Sequence, residues 1–190
     1  VFKVATSYDH TCVLYKNHTI HCFGIETKGE IYPRPSSNTA PDTFFNSNHD
    51  QWDIAAGPHH SCTAFTATND GNRRKTRCWG QNQYGQLNPS TPAGAANIDT
   101  SRVWNTAATG AVRVCVGNRH TCALREDNKI VCFGNNEFGQ VTNHTDDCGN
   151  ADLSTAKGGV KCNHDAPSGE TWVKLSCGHH QTCGVLRKNT

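Results

Sequence analysis

The sequence predicts an all-β chain built from stacked copies of one short strand unit. Three observations carry that prediction. A His-x-Cys mark falls at His10/Cys12, His60/Cys62 and His120/Cys122. A Cys-aromatic-Gly mark follows each of them, at Cys22-Phe23-Gly24, Cys78-Trp79-Gly80 and Cys132-Phe133-Gly134. Between the marks lie short runs of apolar, β-branched and aromatic residues broken by turn signals such as Asp70-Gly71, which read as hairpins.

The clearest copy runs from Ala111 to Val141. Val112 to Val116 alternates, and Thr121–Leu124 and Lys129–Phe133 are short and strand-like, joined by the polar turn Arg125–Asn128. Five residues past the Cys-aromatic-Gly glycine comes another, at Gly29, Gly85 and Gly139, followed by Glu30, Gln86 or Gln140 and then Ile31, Leu87 or Val141. Upstream, Gly57, Gly117 and Gly178 align with Ser7, five residues after Phe2, Trp52, Val112 and Val173. The first copy is degenerate after Gly24, and in the fourth Gln181 replaces the His before Cys183 and the chain ends at Thr190. Fixed offsets of this number define a repeat, and the repeat is read before anything else. One hairpin with a neighbouring strand cannot bury its apolar face alone, whereas stacked copies bury it against one another. The units are residues 1–50, 51–111, 112–171 and the half-unit 172–190, about three and a half copies in one domain.

Gly-x-x-His-(Ser/Thr)-Cys-Ala-Leu, followed by Cys-(Trp/Phe)-Gly-x-Asn-x-(Tyr/Phe)-Gly-Gln-Leu, resembles the repeat of the regulator-of-chromosome-condensation family. The resemblance covers the repeat cores, roughly half the chain. It implies β-propeller blades, in a family whose rings are seven-bladed as a rule. The cysteine-paired form is similar to repeats of extracellular proteins, including bacterial secreted propellers and plant crinkly-type receptor ectodomains. Three and a half copies fall short of a ring, so we expect a partial propeller or a part of a longer chain, the latter favoured because the sequence starts at Val1 and stops within a repeat.

Composition narrows the compartment. Eleven cysteines with no methionine in a 190-residue repeat chain point to an oxidising, extracellular or cell-surface setting. Two acceptor sequons agree: Asn17-His18-Thr19 at a predicted hairpin tip and Asn143-His144-Thr145 in a loop, while Asn88-Pro89-Ser90 is blocked by its proline. Net charge is +2, and the one basic run, Arg73-Arg74-Lys75, reads as a solvated hairpin tip, so nucleic acid is not an expected partner. No apolar run is long enough for a membrane span.

Cys12 and Cys22 lie equally far from a turn centred on Asn17, and Cys122 and Cys132 equally far from one centred on Asp127. Equal distance from an antiparallel turn sets two residues opposite each other, within reach of a disulfide. Cys62 and Cys78 fit with a longer turn centred on Asp70. These three pairs are expected disulfides, each contributing about 2–4 kcal/mol by loop entropy. The competing reading is a metal held by His10, Cys12 and Cys22 and their counterparts. Structural zinc takes four ligands, and no CxxC knuckle is present, so no metal or cofactor is expected and the His is read as hydrogen-bonding within its own unit. His59-His60 and His179-His180 are read as strand neighbours facing opposite ways, which cannot chelate one ion. Cys148 and Cys162 flank a Gly-rich insert and are expected to pair. Cys115 and Cys177 precede the alignment glycine by two residues and by one in successive copies. A bridge between adjacent units is one reading, and the one-residue offset, which places them on opposite strand faces, stands against it. Cys183 is left over, its repeat partner falling just past Thr190.

The inserts 32–51, 88–111 and 142–171 carry Phe44, Phe45 and Trp104 as candidate partner anchors, with packing onto their own unit as the competing reading. No catalytic motif is present, and Asp42, Asp50, Asp53, Asp99, Asp146, Asp147, Asp152 and Asp165 read as solvated loop acids, with no calcium loop around Asp146-Asp147. The expected function is therefore a non-enzymatic secreted or cell-surface module for adhesion, coat or filament assembly, or receptor recognition. It would bind a protein partner, or assemble with itself, through propeller faces, chain ends and inserts. The alternatives are a carbohydrate-binding propeller and a secreted enzyme inhibitor.

Overall fold

A computed structural model describes residues 1–25, 30–31, 49–68, 71–87, 104–105, 108–142, 148 and 160–190. The strands are β1 (Lys3–Thr6), β2 (His10–Leu14), β3 (Ile20–Gly24), β4 (His49–Ala56), β5 (His60–Ala67), β6 (Arg73–Gly80), β7 (Trp104–Asn105), β8 (Ala111–Val116), β9 (His120–Arg125), β10 (Lys129–Gly134), β11 (Val160–Asp165), β12 (Glu170–Cys177) and β13 (Thr182–Lys188). They form four antiparallel sheets in chain order: β1-β2-β3, β4-β5-β6-β7, β8-β9-β10-β11 and β12-β13. Each sheet is one repeat and one propeller blade. The fourth strands β7 and β11 lie within the segments that the sequence marks as inserts. Val160–Asp165 is short, and only Val160 and Cys162 in it are apolar, so it gives no period-2 signal before the fold supplies its neighbour.

The second and third blades bury both faces, which is why their inner strands read as nearly continuous apolar runs. In the third blade, Val114, Val116, Ala123, Val131 and Phe133 pack towards the second blade with Ala64 and Leu87. Cys115, Cys122, Leu124, Ile130 and Cys132 pack towards the fourth with Trp172, Leu175 and Cys177. Between the first two blades lie Leu14, Ile20, Ile54 and Trp79. The alternation of a strand thus supplies one interface with odd positions and the next with even ones.

Turn chemistry fixes the hairpins. Asn128 and Asn72 take left-handed backbone angles, φ 62° and 55°, which asparagine tolerates better than most residues. The glycine of Cys-aromatic-Gly has a different reason. At Gly80 (φ 110°) a Cβ would sit 2.6 Å from the His59 carbonyl oxygen and 2.7 Å from the His60 Cα, so no side chain fits.

The Asn-x-(Tyr/Phe)-Gly-Gln-Leu motif is a loop that satisfies its own backbone. Asn82 Oδ1 accepts from the Leu87 N–H at 2.8 Å, and Gln86 Oε1 accepts from the Tyr84 N–H at 2.8 Å. The third blade repeats both bonds, Asn136 with Val141 at 3.0 Å and Gln140 with Phe138 at 2.9 Å. Buried amide side chains standing in for missing sheet partners explain why Asn and Gln recur there.

Candidate functional site

The recurring spacing His-(Ser/Thr)-Cys builds a junction between blades. His and Cys, two apart, point towards the next blade, and the hydroxyl between them points back. His10 Nε2 lies 2.7 Å from Ser61 Oγ, His60 Nε2 2.8 Å from Thr121 Oγ1, and His120 Nε2 3.0 Å from Thr182 Oγ1. Thr121 donates to the Gln86 carbonyl at 2.8 Å, and Thr182 donates to the Gln140 carbonyl at 3.0 Å. A hydroxyl that donates its one proton must accept from the ring, so His60 and His120 carry their hydrogen on Nε2. Burial pushes His60 down to about 3, helped by His120, His59 and His10 nearby. Burial likewise pushes His120 down to about 4, with His180 adding to it. Both rings are neutral at neutral pH, and the Nε2–H is a fixed donor. The histidine expected to bond within its own unit therefore latches the next one. Among the described residues, only His10 of these three also bonds at home, to Ser7 at 3.2 Å and Asp9 at 3.3 Å through Nδ1.

Ser61, His10 and Asp9 thus stand in the order of a nucleophilic triad. Ser61 is fully buried, and the same His-to-hydroxyl bond recurs at Thr121 and Thr182, so its place in the fold is that of a latch.

Asp53 adds a second tie. It lies buried in β4 rather than solvated in a loop, because the register shift between Gln51 and Asp53 turns its carboxylate inward. It pairs with Lys3 of the first blade and accepts from the Val114 N–H of the third at 2.9 Å. Asp165, in β11, pairs with Lys129 at 2.9 Å, while Asp50 lies in β4 and is exposed. His179 and His180 sit in a bend, not a strand, so their rings meet edge-on with centroids 4.1 Å apart.

Ten cysteines form five disulfides: Cys12–Cys22, Cys62–Cys78, Cys122–Cys132, Cys148–Cys162 and Cys115–Cys177. The three hairpin bridges have Cα–Cα distances of 4.0, 4.1 and 4.1 Å, as in-register close pairs. Cys115–Cys177 spans 5.4 Å between the third and fourth blades. The one-residue offset that stood against this bridge is what it requires. Blades stack face to face, so the face of one and the facing side of the next hold opposite-parity positions. Cys183 is free and exposed.

Two outer faces remain open. Phe23 is 57% exposed, whereas Trp79 and Phe133 at the same repeat position are 2% and 0% exposed. Phe2 and Val4 extend that face. At the other end, Val185 and Cys183 lie exposed on β13. A cleft of about 270 Å³ between the third and fourth blades is lined by Ile130, Cys132, Gln140, Val141 and Trp172. It corresponds to the seat that Trp79 occupies beside Glu30 and Ile31, where its indole N–H donates to the Glu30 carbonyl at 3.0 Å. Asn17 lies exposed at its hairpin tip, its Oδ1 accepting from the Thr19 hydroxyl at 2.8 Å. Phe44, Phe45 and Asn143 lie outside the described residues. Trp104 lies on the edge strand β7, opposite Arg77.

Antiparallel blades in chain order, latched from one to the next, define an arc of a β-propeller. Residues 111–140 match the regulator of chromosome condensation (RCC1) repeat. No curated protein matches the chain. Among solved structures, yeast RCC1 (Prp20) bound to Kap60 superposes with a TM-score of 0.56 at 17% identity, over 97% of this chain and 53% of that one. Human WBSCR16 gives 0.64 at 17% identity over 93% and 44%. The crinkly ectodomain of the Arabidopsis thaliana receptor kinase ACR4 gives 0.51 at 17% over 98% and 46%. The chain spans about half the length of these proteins. The matched repeat lies in the third blade, and the first two blades carry the same hairpin disulfide.

Proposed function

We propose that this chain is a non-enzymatic, extracellular protein-interaction module, secreted or displayed at a cell surface. The observation that carries the reading is the set of five disulfides, which staple every blade hairpin from the first to the third and tie the third blade to the fourth. Such a set persists in oxidising compartments. The exposed sequon at Asn17 supports the same compartment. The non-enzymatic reading is supported by the use of the interior His, Ser and Thr groups as blade latches. Among similar propellers, yeast Prp20 is bound to Kap60 in one structure and is described in another with binding properties to Gsp1p and histones. From these we take only that such a surface engages proteins. The Phe2–Val4–Phe23 face and the open β13 face are the surfaces offered for it.

The test is secretion from a eukaryotic host, followed by intact mass before and after reduction and deglycosylation. About ten mass units gained on reduction, two per bond, and a glycan lost from Asn17 are the expected outcome. A cytosolic, fully reduced and unglycosylated product overturns the compartment. A second ligand class, carbohydrate, is favoured by one observation. The cleft beside Trp172 combines aromatic rings with an indole N–H that is buried without a partner among the described residues. A glycan array separates the two, since a protein-binding module leaves it blank.

A further inference from the structure

Four cysteines lie in one row across the third blade, one on each strand. Cys115 of β8 is opposite Cys122 of β9, Cys122 opposite Cys132 of β10, and Cys132 opposite Cys162 of β11. Two more cap the row: Cys177 from the fourth blade bonds Cys115, and Cys148 bonds Cys162. The order across the sheet is therefore 177–115, 122–132, 162–148, three disulfides end to end. The four inner cysteines are buried, and the two outermost are half-exposed. The sulfurs of Cys115, Cys122 and Cys177 all lie within 4.8 Å of one another, about one strand spacing.

We propose that this row is a thiol–disulfide relay that shifts its pairing by one place when a dithiol reductant delivers two electrons. The reductant opens the bond at the half-exposed Cys177 and is itself oxidised to a disulfide. The Cys115 thiolate attacks Cys122 Sγ, forming Cys115–Cys122 and expelling Cys132. Cys132 attacks Cys162 Sγ, forming Cys132–Cys162 and expelling Cys148, which takes up a proton. Three protein disulfides and one dithiol become two protein disulfides, two protein thiols and one oxidised reductant, so atoms and electrons balance. Attack from the Cys148 end gives the same product.

Geometry favours each step. Exchange at sulfur places the attacking and leaving sulfurs on opposite sides of the attacked one, and a row across strands does this. A residue's N–H and C=O point to the same side. Cys122, in the close pair with Cys132 (Cα–Cα 4.1 Å), therefore forms the wider hydrogen-bonded pair with Cys115, about 5.5 Å, within the span of a disulfide. The driving force is solvation. Simple reduction of Cys115–Cys177 would leave a thiol in the core at Cys115, whereas the relay delivers both thiols to the ends of the row, where water stabilises the thiolate. A single reduction then releases the fourth blade and the tether at Cys148 together.

The experiment uses the native chain with Cys183 first blocked by N-ethylmaleimide, so that it takes no part. Limiting dithiothreitol is added, exchange is quenched in acid, and the new thiols are alkylated with a second reagent. Non-reducing digestion and mass spectrometry then locate labels and linked peptides. The relay predicts about equal labelling of Cys148 and Cys177, with Cys115–Cys122 and Cys132–Cys162 peptides. Labels on Cys115 and Cys177, or on Cys148 and Cys162, with the other two bonds unchanged, overturn it. The paired change Cys122→Ala and Cys132→Ala removes the middle of the row and should abolish Cys148 labelling when the Cys115–Cys177 bond is opened. Should that variant fail to fold, the wild-type map decides alone.

Discussion

Thr121→Val tests the latch on which the stacking of blades rests. Valine keeps the shape of threonine and replaces only the hydroxyl. Two groups lose their partner: the His60 Nε2–H, which is fully buried, and the Gln86 carbonyl, on a buried residue. The His60 Nδ1 already lacks a partner among the described residues, and burial holds the ring neutral. Each orphaned buried group costs about 1–3 kcal/mol, and we expect about 3 kcal/mol in total. For a domain of this size that lowers Tm by about 6–12 °C. Urea unfolding with disulfides intact, followed by far-ultraviolet circular dichroism, measures it. The control is His60→Phe, which removes the donor and fills the space. In that background Thr121→Val should cost only the Gln86 share, about 1 kcal/mol, a coupling of at least about 1 kcal/mol. A loss under about 0.5 kcal/mol, or an equal loss in both backgrounds, would refute the hydroxyl relay and reduce the contact to packing.

The remaining predictions concern the same interfaces. His60 and His120 have folded pKa values near 3 and 4 against 6.5 unfolded, so the unfolded chain binds more protons between those limits. Their stabilising contribution is complete above pH 6.5 and is lost as pH falls through the window below it, by a few kcal/mol at pH 5. Urea midpoints at pH 7 and 5 check this, and His60→Phe should flatten the dependence. Phe133→Ala should cost about 3–5 kcal/mol, while Phe23→Ala at the equivalent exposed position should stay within about 0.5 kcal/mol, both read from urea unfolding. Gly80→Ala should be much worse than Gly71→Ala, because a Cβ at Gly71 meets nothing within 4 Å and carries only the left-handed penalty of about 1 kcal/mol. Asp53→Ala should cost about 2 kcal/mol by orphaning the Val114 N–H, and Lys3→Ala should cost at least as much, because it leaves the buried Asp53 carboxylate without its cation; urea unfolding reads both.

The blades are legible because their local signals agree: period, turn residues and the two cysteine marks all select the same hairpins. Equal spacing about Asn17 and Asp127 encodes the in-register positions of Cys12 with Cys22 and of Cys122 with Cys132, a property of one hairpin alone. What the sequence hides is whatever lies between blades. The inward turn of Asp53 follows from a bulge, which no residue pattern marks. The fourth strand β11 follows from the edge of β10 waiting to be paired, not from its own six residues. The exposure of Phe2, Val4, Phe23 and Val185 in this chain is invisible for a related reason: the sequence shows the same residue types there as in the buried copies, and burial depends on the blade packed against them.

The latch shows how one motif can read as local and act at long range. His-(Ser/Thr)-Cys invites a reading within its own hairpin, because its three residues are consecutive. Consecutive strand residues face opposite ways, so the motif has two sides. Its His and Cys serve the next blade and its hydroxyl serves the previous one, and a single tripeptide makes each blade both donor and acceptor. That is a self-complementary contact repeated by translation along the chain. It explains why the hydroxyl is kept at Ser61, Thr121 and Thr182, each of which receives a histidine. The same parity carries Cys115 to Cys177. Stacking face to face turns an odd offset from an objection into a requirement. A signal that strands face both ways, applied between neighbours instead of within one unit, would have found the bridge.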